Sequence, residues 1–342
     1  MASSWGPALR VFGCLFLTAL LAPHRFEAPE AIASAEAPLL PAEPFDPSSI
    51  SKVVEQDYRY RIFDTASVEG EASYVNDHSF VQAHDGSWHL FGIFHREPAI
   101  GGHDEVDFIH AFTKERDPAK WTEGEFQPVP APYTFALRTD RTIGETHLWA
   151  PHVVAADGRY WMVYQSGGAK DDRAQIRLAE SDDLYRWTRV GDAPLFEDIC
   201  VARDPMLVRR ESIWTMHYTR CDSATKRASG VAYRQSRDLL HWSEPHMLLT
   251  LSDQPPTSNS AYTESPFVFE HDGYFYLSVT SYPVEWDATF LFRSPAPYAF
   301  PSAPFTRLRA HAAEWLISGD RIWMTHAGSG QRGVWMAPIT GL

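Results

Sequence analysis

The 342-residue sequence predicts an all-β chain folded as a five-bladed β-propeller. Three observations carry this. A turn followed by an aromatic strand returns five times, a second short unit follows it in three of the repeats, and no stretch shows a convincing amphipathic helical pattern.

The first unit reads Asp85-Gly86-Ser87-Trp88-His89-Leu90-Phe91, then Asp157-Gly158-Arg159-Tyr160-Trp161-Met162, Asp272-Gly273-Tyr274-Phe275-Tyr276-Leu277 and Gly319-Asp320-Arg321-Ile322-Trp323-Met324. A fifth copy, Arg210-Glu211-Ser212-Ile213-Trp214, lacks the glycine and keeps the strand. Asp-Gly between β-rich runs is a hairpin signal, because the turn needs positive φ. The second unit is Ser181-Asp182-Asp183-Leu184-Tyr185-Arg186-Trp187, matched by Ser236-Arg237-Asp238-Leu239-Leu240-His241-Trp242 and loosely by Lys114 to Trp121. Each copy ends a strand, and its Trp is expected to pack between neighbouring sheets. Repeats of about 50 to 70 residues suit four-stranded blades. The last unit has three clear strands of its own, so an early strand near Tyr58–Phe63 is expected to complete it and close the ring.

Ahead of the propeller, Arg10 and the apolar run Val11 to Ala22 read as an export signal within residues 1–30. The run, about 12 residues, is too short for a transmembrane helix of roughly 20. Residues 31–56, rich in Ala, Pro and Glu, read as a linker, and 57–342 as the propeller. A secreted or periplasmic location follows, with no stable membrane partner beyond a possible N-terminal anchor. Cys200 and Cys221 flank the third hairpin symmetrically, and export would allow them to form a disulfide. The net charge of −14 argues against nucleic acid, which needs a basic face. No HExxH or paired CxxC spacing appears, so neither a metal nor another cofactor is expected.

Just ahead of each hairpin lies the strand that should line the central channel. These strands carry Asn76-Asp77, Trp149-Ala150-Pro151-His152, Arg203-Asp204-Pro205, Glu264-Ser265-Pro266 and His311 to Glu314 in blades one to five. Three of them bring an acid into apolar company, where a carboxylate is costly unless it is paired or used. Asp77, Asp204 and Glu264 at corresponding positions of three repeats therefore converge on one channel mouth. Glycoside hydrolysis needs such a set: an acid for the leaving oxygen, a carboxylate that attacks the sugar or activates water, and a third that tunes them.

These segments resemble the β-fructosidase superfamily of glycoside hydrolases. Asn76-Asp77, Trp88-His89-Leu90-Phe91, Arg203-Asp204-Pro205 and Glu264-Ser265-Pro266 are similar to motifs of family 32, and Trp149-Ala150-Pro151 is similar to a strand of family 43. Two features depart from family 32: His78-Ser79-Phe80 follows Asp77 in place of Pro-Asn-Gly, and no C-terminal β-sandwich follows the fifth blade. The resemblance implies a saccharide substrate, Asp77 as nucleophile, Asp204 as transition-state stabiliser and Glu264 as acid/base. Arg203 and Asn76 would bind substrate hydroxyls, with Trp149, His152 and His311 lining the sugar pocket. The reading first in order is retaining hydrolysis of a β-fructofuranoside, with Asp77 and Asp204 ionised and Glu264 protonated by its apolar setting. The alternative is an inverting arabinofuranosidase or xylosidase like family 43, with Asp77 as general base. A reading from another class is a non-catalytic carbohydrate-binding propeller, which would be expected to have lost one of the three acids.

Overall fold

The computed structural model describes residues 53–54, 60–69, 73–96, 105–167, 175–196, 198, 202–221, 228–250, 262–282, 287–327 and 332–342. Cys200, the expected signal and nearly all of the expected linker lie outside the described residues, and so does the Cys200–Cys221 pairing.

Five antiparallel sheets follow one another along the chain as five blades. Their innermost strands are Tyr74–Gln82, Leu148–Ala156, Ala202–Arg210, Tyr262–His271 and Glu314–Ser318. Blade five has the order Glu314–Ser318, Arg321–His326, Gly333–Ile339, Tyr60–Asp64, so an early strand does close the ring. Gly333 makes that closure possible: it sits at φ 140°, and a Cβ there would lie 1.9 Å from the Phe63 carbonyl oxygen. In blade four, Val53–Val54 adds a parallel strand beside Thr306–Arg309.

Alternation along each strand places apolar side chains on both faces, and they pack into five clusters, one at each junction between blades. Phe91 and Ile93 meet Tyr160 and Met162 between blades one and two. Val163 and Leu178 meet Leu207 and Met216 at the next junction. Met206 and Tyr233 then meet Leu277 and Phe290, and Tyr276 and Leu291 meet Trp315 and Met324. The fifth cluster joins Trp323, Val334, Ile62 and Phe63 of blade five to Leu90, Phe94 and Ile109 of blade one. A two-layer sandwich would have one shared core; a ring of junction cores is what a propeller requires.

The two repeated units have local causes. Asp157-Gly158 and Asp272-Gly273 all have positive φ, the turn whose twist matches a two-residue hairpin. In the second unit, Ser181 and Ser236 accept the amides of Leu184 and Leu239, at 2.8 and 2.9 Å. Asp183 and Asp238 accept two further amides each. This wraps the chain tightly enough to put Leu184 and Leu239 at φ 67° and 66°. Trp187 and Trp242 then each donate to those leucines' carbonyls at 2.9 Å. Trp187 packs edge-on against Phe91 of blade one, as expected of a Trp between sheets.

Candidate active site

Every described inner strand of blades one to four slips register near its start, between Val75 and His78, Trp149 and His152, Arg203 and Met206, and Glu264 and Phe267. The slip is a β-bulge: two residues fit where the partner strand has less, and the strand bends and re-aims its side chains. In blades two to four the first bulge residue has positive φ, 46° at Ala150, 52° at Asp204 and 49° at Ser265; Ala312 of blade five repeats this at 49°. Such backbone is unfavourable for a residue with a Cβ, and it recurs at functional positions.

The bulge corrects one expectation. The three acids do not occupy one equivalent position. Glu264 is the residue before the bulge, Asp204 its first member and Asp77 its second. Three strands thus offer a carboxyl from three successive heights, and the bulges bring them together.

They meet through Arg203 and Ser265. The Arg203 guanidinium donates to Asp204 Oδ2 at 3.2 Å and, more closely, to Glu264 Oε1. The Ser265 amide donates to the same Asp204 oxygen at 3.1 Å, while its hydroxyl donates to Asp77 Oδ1 in a short contact. Blades one, three and four are tied together by these two residues. Ser265 was not singled out from the sequence, although its place directly after Glu264 was the available signal.

The electrostatics follow from three carboxyls around one guanidinium. Burial pushes the Asp77 carboxyl up to about 8, with the Asp204 charge adding to it; the Ser265 hydroxyl and Arg203 pull the other way. Burial also raises Asp204, against Arg203, which lowers it. The expectation that Asp77 stays ionised is therefore not met in the free site at neutral pH, where burial outweighs the single cation. Arg203 is itself held more firmly protonated than usual: burial opposes its charge, and Asp204 and Glu264 overcome that.

Asp77, Asp204 and Ser265 line a pocket together with His78, Ala150, Pro151, His152, Pro205, Met206, Pro266 and Glu314. Of the other residues expected here, His152 lies in the wall, with Nδ1 accepting the Leu207 amide at 3.2 Å. Burial depresses its pKa to about 4, so it is a neutral imidazole. Asn76, Trp149, Arg203, Glu264 and His311 are not among the pocket's lining residues; Arg203 and Glu264 adjoin it through Asp204. Trp149 lies against His147, with ring centres 3.7 Å apart and ring planes tilted by 30°. His311 is buried, and its carbonyl accepts the Ala327 amide. Glu314, present in the fifth repeat but not chosen from the sequence, is in the pocket; burial raises its carboxyl well above the usual range, and the Asp77 charge adds to this. Among the described residues no group of three or more His, Cys, Asp or Glu is arranged to hold a metal ion.

The sequence profile of glycosyl hydrolases family 43 matches residues 114–294, which is more than half of the chain. The chain belongs to glycosyl hydrolase family 43. This enzyme is a glycoside hydrolase of the β-fructosidase superfamily, and the matched span contains Asp204 and Glu264; Asp77 lies before it. No curated protein sequence matches it.

Solved structures share its fold at low identity. A family 43 enzyme of Xanthomonas citri complexed with xylose is 14% identical, with TM-score 0.62 over 83% of this chain and 91% of that one. The endo-arabinase of Bacteroides thetaiotaomicron is 13% identical, with TM-score 0.59 over 83% and 99%. The Bombyx mori family 32 β-fructofuranosidase is 14% identical, with TM-score 0.55 over 78% and 59%.

Proposed function

We propose that the enzyme hydrolyses a pentoside, an arabinofuranoside or a xyloside, with inversion: Asp77 as general base for water, Glu264 as general acid and Asp204 as the carboxylate that orients and tunes Glu264. One observation carries the roles. Arg203 bridges Asp204 to Glu264, and Ser265 bridges Asp204 to Asp77, so the tuning residue touches the machinery of both partners. The substrate class rests on family 43 membership and on neighbours described by xylose and arabinan chemistry.

Chemistry needs an ionised base and a protonated acid. In the free site burial and Asp204 favour a proton on Asp77. A sugar and its attacking water bring hydroxyls to Asp77, which favour its charged form. The Asp204 charge acts directly on Asp77, so these two carboxyls titrate as a pair, not singly.

The family assignment favours this reading over retaining cleavage of a β-fructofuranoside. Arg203-Asp204-Pro205 and the fold likeness to the Bombyx mori enzyme keep the latter as the second reading. The test is hydrolysis of aryl xyloside, aryl arabinofuranoside, arabinan, sucrose and inulin, with the first-formed anomer read by NMR. Inverted pentose is expected; fructose, or a retained anomer, would overturn the proposal. Asp77→Asn should lower kcat by ~10²–10⁴-fold with the fold intact. Glu264→Gln should slow poor leaving groups far more than nitrophenyl ones, because only the former need the acid.

A further inference from the structure

Below the bulges, the next paired residue of each inner strand is His78, His152, Met206 and Phe267 in blades one to four. In blade five the same place, two residues beyond the positive φ of Ala312, is Glu314, paired with Thr325. This ring forms the neck of the channel under the carboxylates. Three of its members other than Glu314 also line the pocket, and His152, Met206 and Phe267 line a second, wider cavity beneath it. The neck is otherwise neutral or apolar. His78 is pushed down to about 3 by burial and bonds through Nε2 to Thr325 Oγ1 at 2.8 Å. His152 is occupied by the Leu207 amide. The remaining two members are a thioether and a phenyl ring.

Glu314 is the one acid in that ring, and among the described residues no hydrogen bond or ion pair reaches its carboxyl. Every other acid of the site has a donor: Asp77 has Ser265, Asp204 has Arg203 and the Ser265 amide, and Glu264 has Arg203. A pocket-facing carboxyl without a protein partner is costly unless something that enters the pocket supplies one. A repulsive Asp77 neighbour makes a structural ion-pair role worse, not better. A sugar ring seated on the neck would present hydroxyls to it.

We propose that Glu314 binds a ring hydroxyl of the sugar held between Asp77 and Glu264, and that this contact selects the sugar the enzyme accepts. The assignment rests on the pentoside reading above. The raised pKa of Glu314 supports it, since an undissociated carboxyl both donates to and accepts from one hydroxyl pair without adding charge beside Asp77. Sites built to bond a hydroxyl discriminate strongly against the analogue lacking it, because the protein group is left unpaired.

The experiment compares wild type, Glu314→Gln and Glu314→Leu on nitrophenyl xyloside, nitrophenyl arabinofuranoside and their 2-deoxy and 3-deoxy analogues. The intrinsic reactivity of each deoxy glycoside cancels between variants. For the parent sugar that wild type cleaves, one deoxy analogue should lose about tenfold or more in kcat/KM beyond that intrinsic effect. In Glu314→Leu this discrimination should shrink to within about threefold, mostly through KM, while Glu314→Gln, which keeps a donor and an acceptor, should retain most of it. Glu314→Asp withdraws the carboxyl by one methylene and gives the same reading should the Leu variant not fold. A folded Glu314→Leu or Glu314→Asp enzyme that discriminates every analogue as wild type does overturns the proposal alone. A wild type that cleaves neither parent pentoside overturns the pentoside reading and this proposal together.

Discussion

Ser265 does two jobs with two different atoms. Its amide serves Asp204 and its hydroxyl serves Asp77, so a single side-chain change separates them. The hydroxyl favours the ionised form of Asp77. Ser265→Ala should therefore raise the Asp77 pKa further and move the acid limb of kcat/KM to higher pH, leaving the Asp204 contact in place. In wild type that limb should already stand well above the ordinary carboxylate range, since burial holds Asp77 at about 8. An acid limb near 4, or one unmoved by Ser265→Ala, would show that Asp77 is not the base. Asp77, Asp204 and Glu264 were legible because an acid beside Pro or an aromatic at a strand start breaks local pattern. Glu314 was not, because an acid opening Glu314–Ser318 looks like an ordinary exposed strand end; only the bulge before it turns it inward.

At the scale of elements, the repeat was readable and the register was not. Turn glycines and the serine-aspartate loops are local, and the sequence carries them whole. A bulge shows no residue type of its own, since Ala150, Asp204, Ser265 and Ala312 share only positive φ. Long-range ion networks were equally hidden. Glu145, fully buried, accepts from Tyr164 at 2.8 Å and from Arg189 at 2.6 Å, and Asp198 accepts from Tyr218 and Arg220 in the next blade. Partners from different strands leave no periodic trace. The closing strand offers the sharpest test of an element. Gly333→Ala places a Cβ against the Phe63 carbonyl. It should cost about 2–3 kcal/mol and lower the melting midpoint by about 5–10 °C. An unchanged midpoint would mean that Gly333–Ile339 and Tyr60–Asp64 do not pair as described.

For the whole molecule, buried titratable groups set a pH window for stability. Burial depresses His78, His217 and His326 to about 3 and His89 and His152 to about 4, and it lowers His110 as well. Their folded pKa values lie below the unfolded value of about 6.5, so the stability they contribute is present above that pH and drains as pH falls toward 3–4. Asp77 acts in the opposite sense: raised from 3.8 to about 8, its contribution is present in acid and is lost as pH rises through 8. Asp204 and Glu314 are raised too. The imidazoles outnumber these acids below about pH 6.5, and the acids act alone above it. Thermal melts from pH 4 to 9 should peak near pH 6.5, and Asp77→Asn should flatten the alkaline decline. Wild-type melts that climb steadily through pH 8 would contradict the burial of these acids.

Ring closure also has a kinetic meaning. Tyr60 pairs with Met336, so nearly the whole domain must be traversed before that contact can form. A nascent chain that has emerged through residue 294 already carries Asp77, Asp204 and Glu264, but not Glu314 or the strand that receives Tyr60–Asp64. Contacts of such high order close slowly, because chain entropy is spent before they reward it. The pocket is thus the last part of the molecule to exist, and activity should report completion of the chain more faithfully than β-sheet content does.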